Sequence, residues 1–181
     1  NDYASGKLEL AEAIYPVLES DVQAEVTIRR VGGSVGEVTG SYNVTAGTAT
    51  ADLDFVAVSG ELSWADGDTA EKTIPIPLVN NDLVESTERF TFTLSGVTGA
   101  PGKMPVIGAD TAVIEVLDDD RYGTLSFTSP DLYVNENSGQ FIVTVVREFG
   151  LAEEVTVNYE ATAGSAKGGE DFALIQGTLK F

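Results

Sequence analysis

Apolar and polar residues alternate along most of this chain, and this period of two limits its possible folds more than any other feature of the sequence. Successive side chains of a β-strand point to opposite faces of its sheet, so the pattern predicts strands that bury one face. No segment shows a helical stripe, which indicates an all-β protein. The alternating apolar positions are Val22, Ala24, Val26 and Ile28; Ile74, Ile76 and Leu78; Phe90, Phe92 and Leu94; and Ala112, Ile114 and Val116.

Glycine-rich breaks separate these runs. Seven strands are predicted, at 6–18 with an interruption near Glu12, and at 22–30, 36–45, 55–64, 71–79, 88–95 and 109–117. Seven short strands with turns at this spacing predict an antiparallel β-sandwich. Pro75 and Pro77 have no N–H to donate to a neighbouring strand, so we expect the strand at 71–79 to place them on an unpaired side.

The sequence also repeats itself. Residues 6–64 align without a gap with residues 123–181, a shift of 117 positions. We therefore expect a complete repeat at 6–120, a partial second repeat with four strands at 121–181, and the end of an earlier repeat or a linker at 1–5. Four strands leave a sheet edge open. We expect this edge to be covered by further strands of a longer parent protein or by association with a second copy.

Charge and residue usage exclude several classes of function. The formal net charge is −19, from 29 acidic and 10 basic residues, and such a charge argues against nucleic-acid binding. The chain has no cysteine and no histidine, which removes disulfides, zinc and iron–sulfur sites, and Ser-His or Cys-His catalysis. No apolar stretch approaches the ~20 residues of a membrane helix, so we expect no direct membrane insertion. Oxygen ligands remain, and they suit hard cations.

The acidic residues gather at one end of the predicted sandwich. Each connection of an antiparallel sandwich reverses the chain, so alternate connections emerge at the same end, together with the tail of the last strand. Carboxylates packed so closely repel one another, and a bound divalent cation removes this repulsion. Ca²⁺, with about 6–8 oxygen ligands, fits better than Mg²⁺. The converging residues are Glu19; Asp52 and Asp54; Asn80, Asn81, Asp82, Glu85 and Glu88; and Asp118, Asp119 and Asp120.

Other interpretations of these charges stay open. The acidic end can be a solvated rim that holds no metal. Glu85 and Glu88 can also be compared with a glycosidase pair, but no sugar-binding aromatic groove is evident, and we expect no enzyme activity. Arg30 and Arg147 are equivalent across the repeat, and we expect a structural ion pair at each.

The whole first repeat resembles the Calx-beta motif, which is the repeat of sodium–calcium exchanger regulatory domains, an integrin β-subunit tail and many bacterial surface proteins. The resemblance extends over the available half of the second repeat. It implies a seven-stranded immunoglobulin-like sandwich with a calcium cluster at one tip. The stretches that carry it are Thr45-Ala46-Gly47-Thr48-Ala49 to Asp54-Phe55; Gly60-Glu61-Leu62-Ser63-Trp64; Asp66-Gly67-Asp68-Thr69; Ile74-Pro75-Ile76-Pro77-Leu78; Asn80 to Phe90; and Asp118-Asp119-Asp120.

The resemblance also implies a set of calcium ligands. Many members have three aspartates where this chain has Asn80-Asn81-Asp82. Two negative charges are missing there, so we expect weaker binding or fewer ions, in the range of extracellular calcium, about 10⁻⁴–10⁻³ M. The second repeat keeps only Glu136 and Asp171. In the first repeat the implied positions are Glu19, Asp54, Asn80, Asn81, Asp82, Glu85, Glu88, Asp118, Asp119 and Asp120.

Two functions follow from this reading. The preferred one is a structural calcium-binding repeat of an extracellular or cell-surface protein, in which Ca²⁺ between neighbouring repeats stiffens the array for adhesion or cell communication. It rests on the short acidic linker from Asp118 to Gly123. The alternative is a regulatory Ca²⁺ sensor, a cytoplasmic domain of an exchanger-like membrane protein. A millimolar affinity favours the first function, and a micromolar affinity favours the second.

Overall fold

The computed structural model describes residues 4–99 and 105–181, which form strands, turns and one short 3₁₀ helix. They fold as two compact units. The first comprises the chain up to Asn81 and Glu85–Asp119, and the second comprises Asp82–Val84 and Asp120–Phe181. None of the helical structure in the described ranges is long and apolar enough to cross a membrane.

The first unit is a sandwich of two sheets, as predicted. One sheet has the strand order β6-β3-β1-β8, and the other has the order β2-β9-β7-β4-β5. Neighbouring strands are antiparallel except for two parallel pairs, β1 with β8 and β2 with β9. The strands are β1 Lys7–Leu10, β2 Ile14–Leu18, β3 Gln23–Val31, β4 Val38–Ala46, β5 Ser59–Trp64, β6 Lys72–Pro77, β7 Glu88–Gly99, β8 Val106–Ile107 and β9 Thr111–Leu117.

The first predicted strand divides between the two sheets at the expected interruption. β1 pairs with β3, where Lys7 lies opposite Val31. β2 pairs with β9, where Ile14 lies opposite Val113. The chain therefore passes from one sheet to the other within residues 11–13 and links the two layers covalently.

The alternating apolar side chains fill the space between the sheets. Phe90 and Phe92 of β7 are fully buried, and Phe55 stacks on Phe90 with ring centroids 4.0 Å apart. Trp64 is also fully buried and donates its indole N–H to the Ala70 carbonyl at 2.7 Å. A buried ring with a satisfied polar atom stabilises the core without a desolvation penalty.

Four predicted boundaries or positions differ from the structure. Val22 is 84% exposed, because β3 begins only at Gln23. β5 begins at Ser59 rather than 55, because a turn closed by Thr50 N–H on Asp54 Oδ2 at 2.6 Å precedes it. β7 continues to Gly99 past a bulge, where Gly96 has a φ of 57° and the register with β4 shifts. β8 lies within the stretch predicted as a break.

Arg30 does not form the ion pair predicted for it. No carboxylate of the described residues lies within ion-pair distance of its guanidinium, which is 3% exposed. It donates instead to backbone carbonyls of three segments: Ser5 at 3.0 Å, Ala65 and Asp68 at 3.1 Å, and Gly36 at 2.8 Å. The five N–H donors of arginine suit such a cage of carbonyls better than a single carboxylate does.

Arg147 takes the same role in the second unit. Its guanidinium donates to the carbonyls of Tyr122 at 2.8 Å, Glu153 at 2.9 Å and Phe181 at 3.3 Å, and also to that of Ala152. The predicted ion pair is therefore wrong here as well.

The second unit has four strands in two antiparallel pairs, β10 with β11 and β12 with β13. Residues 131–135 align with β2 but form no strand, because β2 pairs with β9 and residues 121–181 hold no counterpart of β9. Many apolar side chains are consequently exposed, among them Tyr133 and Ile142. The elements are β10 Thr124–Phe127, the 3₁₀ helix Glu136–Ser138, β11 Val145–Glu148, β12 Thr156–Glu160 and β13 Gln176–Lys180.

Candidate metal centre

The connecting segments that carry the acidic residues meet at one end of the first unit, as the alternation of strand directions predicts. Backbone hydrogen bonds join them: Glu19 N–H to the Leu117 carbonyl at 2.9 Å, and Val79 N–H to the Asp54 carbonyl at 3.0 Å. We refer to this end as the acidic tip. Its members are Glu19, Asp54, Asn80, Asn81, Glu85, Glu88, Asp118 and Asp119, whereas Asp120 belongs to the second unit.

Glu19 is buried at the acidic tip, with only 3% of its surface exposed. Carboxylates are seldom so buried unless they have partners. One of its oxygens, Oε1, accepts two hydrogen bonds from Asn81, from the backbone N–H at 2.8 Å and from the amide Nδ2 at 2.6 Å. The same Nδ2 donates to Glu85 Oε2 at 3.1 Å. The Asn81 amide thus joins carboxylates that come from two separate connections.

The three aspartates that follow β9 do not share one environment. Asp118 Oδ2 accepts the backbone N–H of Glu85 at 3.0 Å, whereas Asp119 Oδ2 accepts the Ser20 hydroxyl at 2.7 Å. Asp118 and Asp119 are adjacent in the sequence, yet their carboxylates accept hydrogen bonds from two different connections of the first unit.

Five carboxylates line a small cleft of about 10 Å³, contributed by Glu19, Asp54, Glu85, Glu88 and Asp118. This volume is close to the space needed by one water molecule, and a single bare ion also fits. Removal from water, followed by a hydrogen bond and charge from Asp54, raises the pKa of Glu88 from 4.5 to about 7. The charges of Glu85 and Glu19 act in the same direction.

The chemistry of these donors fits a hard divalent cation. The donors around the cleft are carboxylate oxygens, with neither nitrogen nor sulfur ligands among them. Oxygen donors of this kind bind Ca²⁺ or Mg²⁺ and disfavour softer metals. Removal from water, and after it the hydrogen bond and charges of neighbouring carboxylates, raise the pKa of Glu88 and so disfavour its charged form.

Not all of the predicted ligands lie in this cleft. Asn80 is exposed, and its Nδ2 donates to the Asn81 carbonyl at 3.2 Å. Asp82 is also exposed. In the second unit Glu136 lies exposed on the 3₁₀ helix, and Asp171 Oδ2 accepts the Lys167 N–H at 2.8 Å. The ligand roles of these residues stay predictions.

Two contacts at the acidic tip were not predicted from the sequence. The Ser20 hydroxyl holds Asp119, and Asn81 acts as a hydrogen-bond donor where an amide oxygen ligand was expected. Ser20 follows Glu19 in the same connection, so its position in the sequence could have indicated that it contacts the acidic tip. The donor role of Asn81 depends on the orientation of its side chain, which no sequence pattern gives.

Comparison with known proteins gives a consistent result. The Calx-beta domain model matches residues 2–120 and, a second time, residues 118–181. Sodium/calcium exchanger 1 of Felis catus is 30% identical over 197 aligned residues, which cover 100% of this chain and 20% of the exchanger. The chain therefore spans about a fifth of the length of the curated relatives that it matches.

Solved structures give the same similarity. The apo-form Calx CBD1 domain is 28% identical, with a TM-score of 0.57 over 63% of this chain and 97% of that domain. The calcium binding domain CBD12 of CALX1.1 is 27% identical, with a TM-score of 0.61 over 96% of this chain and 69% of that structure.

Proposed function

This chain belongs to the Calx-beta domain family, and from that premise we propose that it is a calcium-binding regulatory domain of a membrane transporter of the sodium/calcium exchanger kind. The observation that carries the proposal is the cleft of the acidic tip, which five carboxylates of the first unit line: Glu19, Asp54, Glu85, Glu88 and Asp118. The domain itself binds and responds to Ca²⁺, and it has no catalytic role.

In this proposal the ligands are the five carboxylates of the cleft, from Glu19, Asp54, Glu85, Glu88 and Asp118. These five carboxylates come from four different segments of the chain. A cation that binds all of them offsets their mutual repulsion and fixes those segments together. We expect the tip to become more rigid when calcium binds, which is what a calcium sensor needs.

We also propose that residues 6–120 are a complete repeat and that residues 121–181 begin a second one, with residues 1–5 belonging to a linker or an earlier repeat. The two matches to the family model support this division. Neighbouring Calx-beta repeats are therefore the first partners of this domain.

From sequence alone, a stiffening module of an extracellular adhesive array was the preferred function and the sensor was the alternative. The exchanger relatives support the sensor better, and with the sensor we propose a cytoplasmic location in a membrane-bound parent protein. These relatives lend no support to an adhesive or extracellular role. The acidic linker from Asp118 to Gly123 still favours some stiffening of the array by calcium.

Titration calorimetry of the whole chain with CaCl₂ tests this proposal, with MgCl₂ as the competing ion. We expect Ca²⁺ to bind with a dissociation constant of about 10⁻⁷–10⁻⁵ M, the range of calcium sensors. Millimolar affinity would favour the stiffening role instead. Absence of binding, together with an unchanged melting temperature in CaCl₂, would contradict both.

A further inference from the structure

The side chain of Asn81 occupies a position between two carboxylates of the acidic tip. Its Nδ2 lies 2.6 Å from Glu19 Oε1 and 3.1 Å from Glu85 Oε2. Both partners are carboxylate oxygens, which accept hydrogen bonds, so the group assigned to face them is the NH₂ and not the amide oxygen. The orientation of this amide is therefore fixed by its neighbours.

An NH₂ group in this position offsets part of the repulsion between the two carboxylates, as a bound cation would. It carries two hydrogens with partial positive charge, and it directs one toward each carboxylate. Hydrogen bonds to charged groups are stronger than neutral ones, and Glu19 is almost fully buried, which strengthens them further. The backbone N–H of Asn81 adds a third such bond, at 2.8 Å to the same oxygen of Glu19.

We infer that Asn81 is a positioning residue that holds Glu19 and Glu85 together in the calcium-free protein, and that it thereby sets the calcium affinity of the tip. An ion that bridges these two carboxylates must displace the amide. The inference deepens the proposed function and rests on it for its calcium part. It also replaces the expectation that Asn81 is a ligand through its amide oxygen.

An aspartate at position 81 should have opposite effects with and without calcium. Its side chain cannot donate to Glu19 or Glu85, and it adds a third negative charge beside them. Without calcium the tip is destabilised, and with calcium it gains an additional anionic ligand. A side chain with a purely structural role would lower the stability equally in both conditions.

The test compares Asn81→Asp and Asn81→Ala with the matched control Asn80→Asp in the whole chain. Asn80 precedes Asn81 and is exposed. Its Nδ2 donates to the Asn81 carbonyl and not to a carboxylate. The readout is the melting temperature followed by the fluorescence of Trp64, the single tryptophan, which lies in the core of the first unit. Each variant is measured in EGTA and in CaCl₂, and its calcium affinity is measured by calorimetry.

In EGTA we expect the melting temperature to fall by about 5–10 °C in Asn81→Asp, by about 5 °C in Asn81→Ala, and by less than about 2 °C in Asn80→Asp. The calcium-induced rise in melting temperature should grow by about 5 °C in Asn81→Asp, with an affinity about tenfold tighter. The calcium-induced rise in Asn81→Ala should be at least that of the unmodified chain.

Three outcomes overturn the inference. The first is an unchanged melting temperature of Asn81→Asp in EGTA, and the second is an equal fall in EGTA and CaCl₂. The third is a smaller calcium-induced rise in Asn81→Ala, which would make Asn81 a ligand. If no variant responds to calcium, the proposed function fails, and the comparison of Asn81→Asp with Asn80→Asp in EGTA still decides whether the amide holds the two carboxylates.

Discussion

Glu88 shows most directly how protons and cations compete for a single carboxylate of the acidic tip. Its pKa of about 7 in the calcium-free fold lies above the 4.5 of an ordinary glutamate. The folded protein therefore holds a proton that the unfolded chain has lost, and the stability of the calcium-free protein falls as the pH rises from 4.5 to 7. Calcium must displace that proton in order to bind.

We accordingly predict that calcium affinity is about tenfold weaker at pH 6 than at pH 8, because about one Glu88 in ten is ionised one pH unit below its pKa. Calorimetry at the two pH values measures the difference. Glu88→Gln serves as the control, since it should bind more weakly but lose most of this dependence. Equal affinities of the unmodified chain at pH 6 and pH 8 would show that Glu88 does not contact the ion.

The neighbouring aspartates Asp118 and Asp119 give a second prediction at this scale. Asp118→Asn should weaken calcium binding about tenfold or more, because its carboxylate lines the cleft together with that of Glu19. Asp119→Asn should have a smaller effect, because Asp119 accepts the hydroxyl of Ser20. Both changes remove one negative charge and keep the shape of the side chain. A difference between their calcium affinities, measured by calorimetry, therefore reports the position of the carboxylate and not the loss of charge. The reverse order of effects would place Asp119, and not Asp118, at the ion.

At the scale of elements, Arg30 links strands and connections that lie far from the acidic tip. Arg30→Lys should lower the free energy of unfolding by about 2 kcal/mol or more, because a single ammonium cannot reach the carbonyls of all three segments and leaves buried acceptors unpaired. Urea denaturation followed by Trp64 fluorescence measures this for the first unit.

Arg29→Lys is the matched control on the adjacent residue. The Nε of Arg29 lies 2.7 Å from Glu71 Oε1 in an exposed ion pair, so its loss should cost less than about 1 kcal/mol. If Arg30→Lys and Arg29→Lys lowered the free energy of unfolding equally, the carbonyls around Arg30 would have no special part in stability.

Some features of the strands follow from the sequence alone, and others depend on how the strands pair. Buried faces of strands were predictable, because residues such as Phe90 and Phe92 follow the period of two. The late start of β5 at Ser59 and the continuation of β7 past Gly96 were not predictable. The first depends on a turn at Asp54 and the second on a bulge, and both depend on how several strands pair. The partners of Arg30 were also hidden, because they are backbone carbonyls, which every residue has.

The same division holds for the acidic tip. That its segments meet follows from alternating strand directions, so the convergence of Glu19, Asp54 and Asp118 was predictable. Which oxygen faces which donor was not, because the bridging position of Asn81 depends on the folded geometry of two loops.

For the whole molecule, the second unit determines how copies of this chain behave at high concentration. It has two separate strand pairs and exposes large apolar side chains, whereas the first unit closes its core. Unpaired strand edges and exposed apolar groups favour association. We predict reversible self-association that depends on protein concentration, measured by sedimentation velocity.

Substitution by lysine tests where this association occurs. Ile142→Lys, in the second unit, should reduce it, and Val22→Lys, at a similarly exposed position of the first unit, should not; the two side chains are 80% and 84% exposed. Sedimentation of a monomer at every protein concentration would contradict the prediction.

The division of the first predicted strand between β1 and β2 has a mechanical consequence. β2 and β9 are parallel neighbours, joined along five residue pairs from Ile14–Val113 to Leu18–Leu117. Tension on the chain before β1 and after β9 pulls these two strands in opposite directions along their length. Their hydrogen bonds are then loaded together in shear and cannot open one after another like a zipper. The first unit is thus built to resist extension, and the strand pair that bears the load ends beside Glu19 and Asp118, where a bound ion would reinforce it.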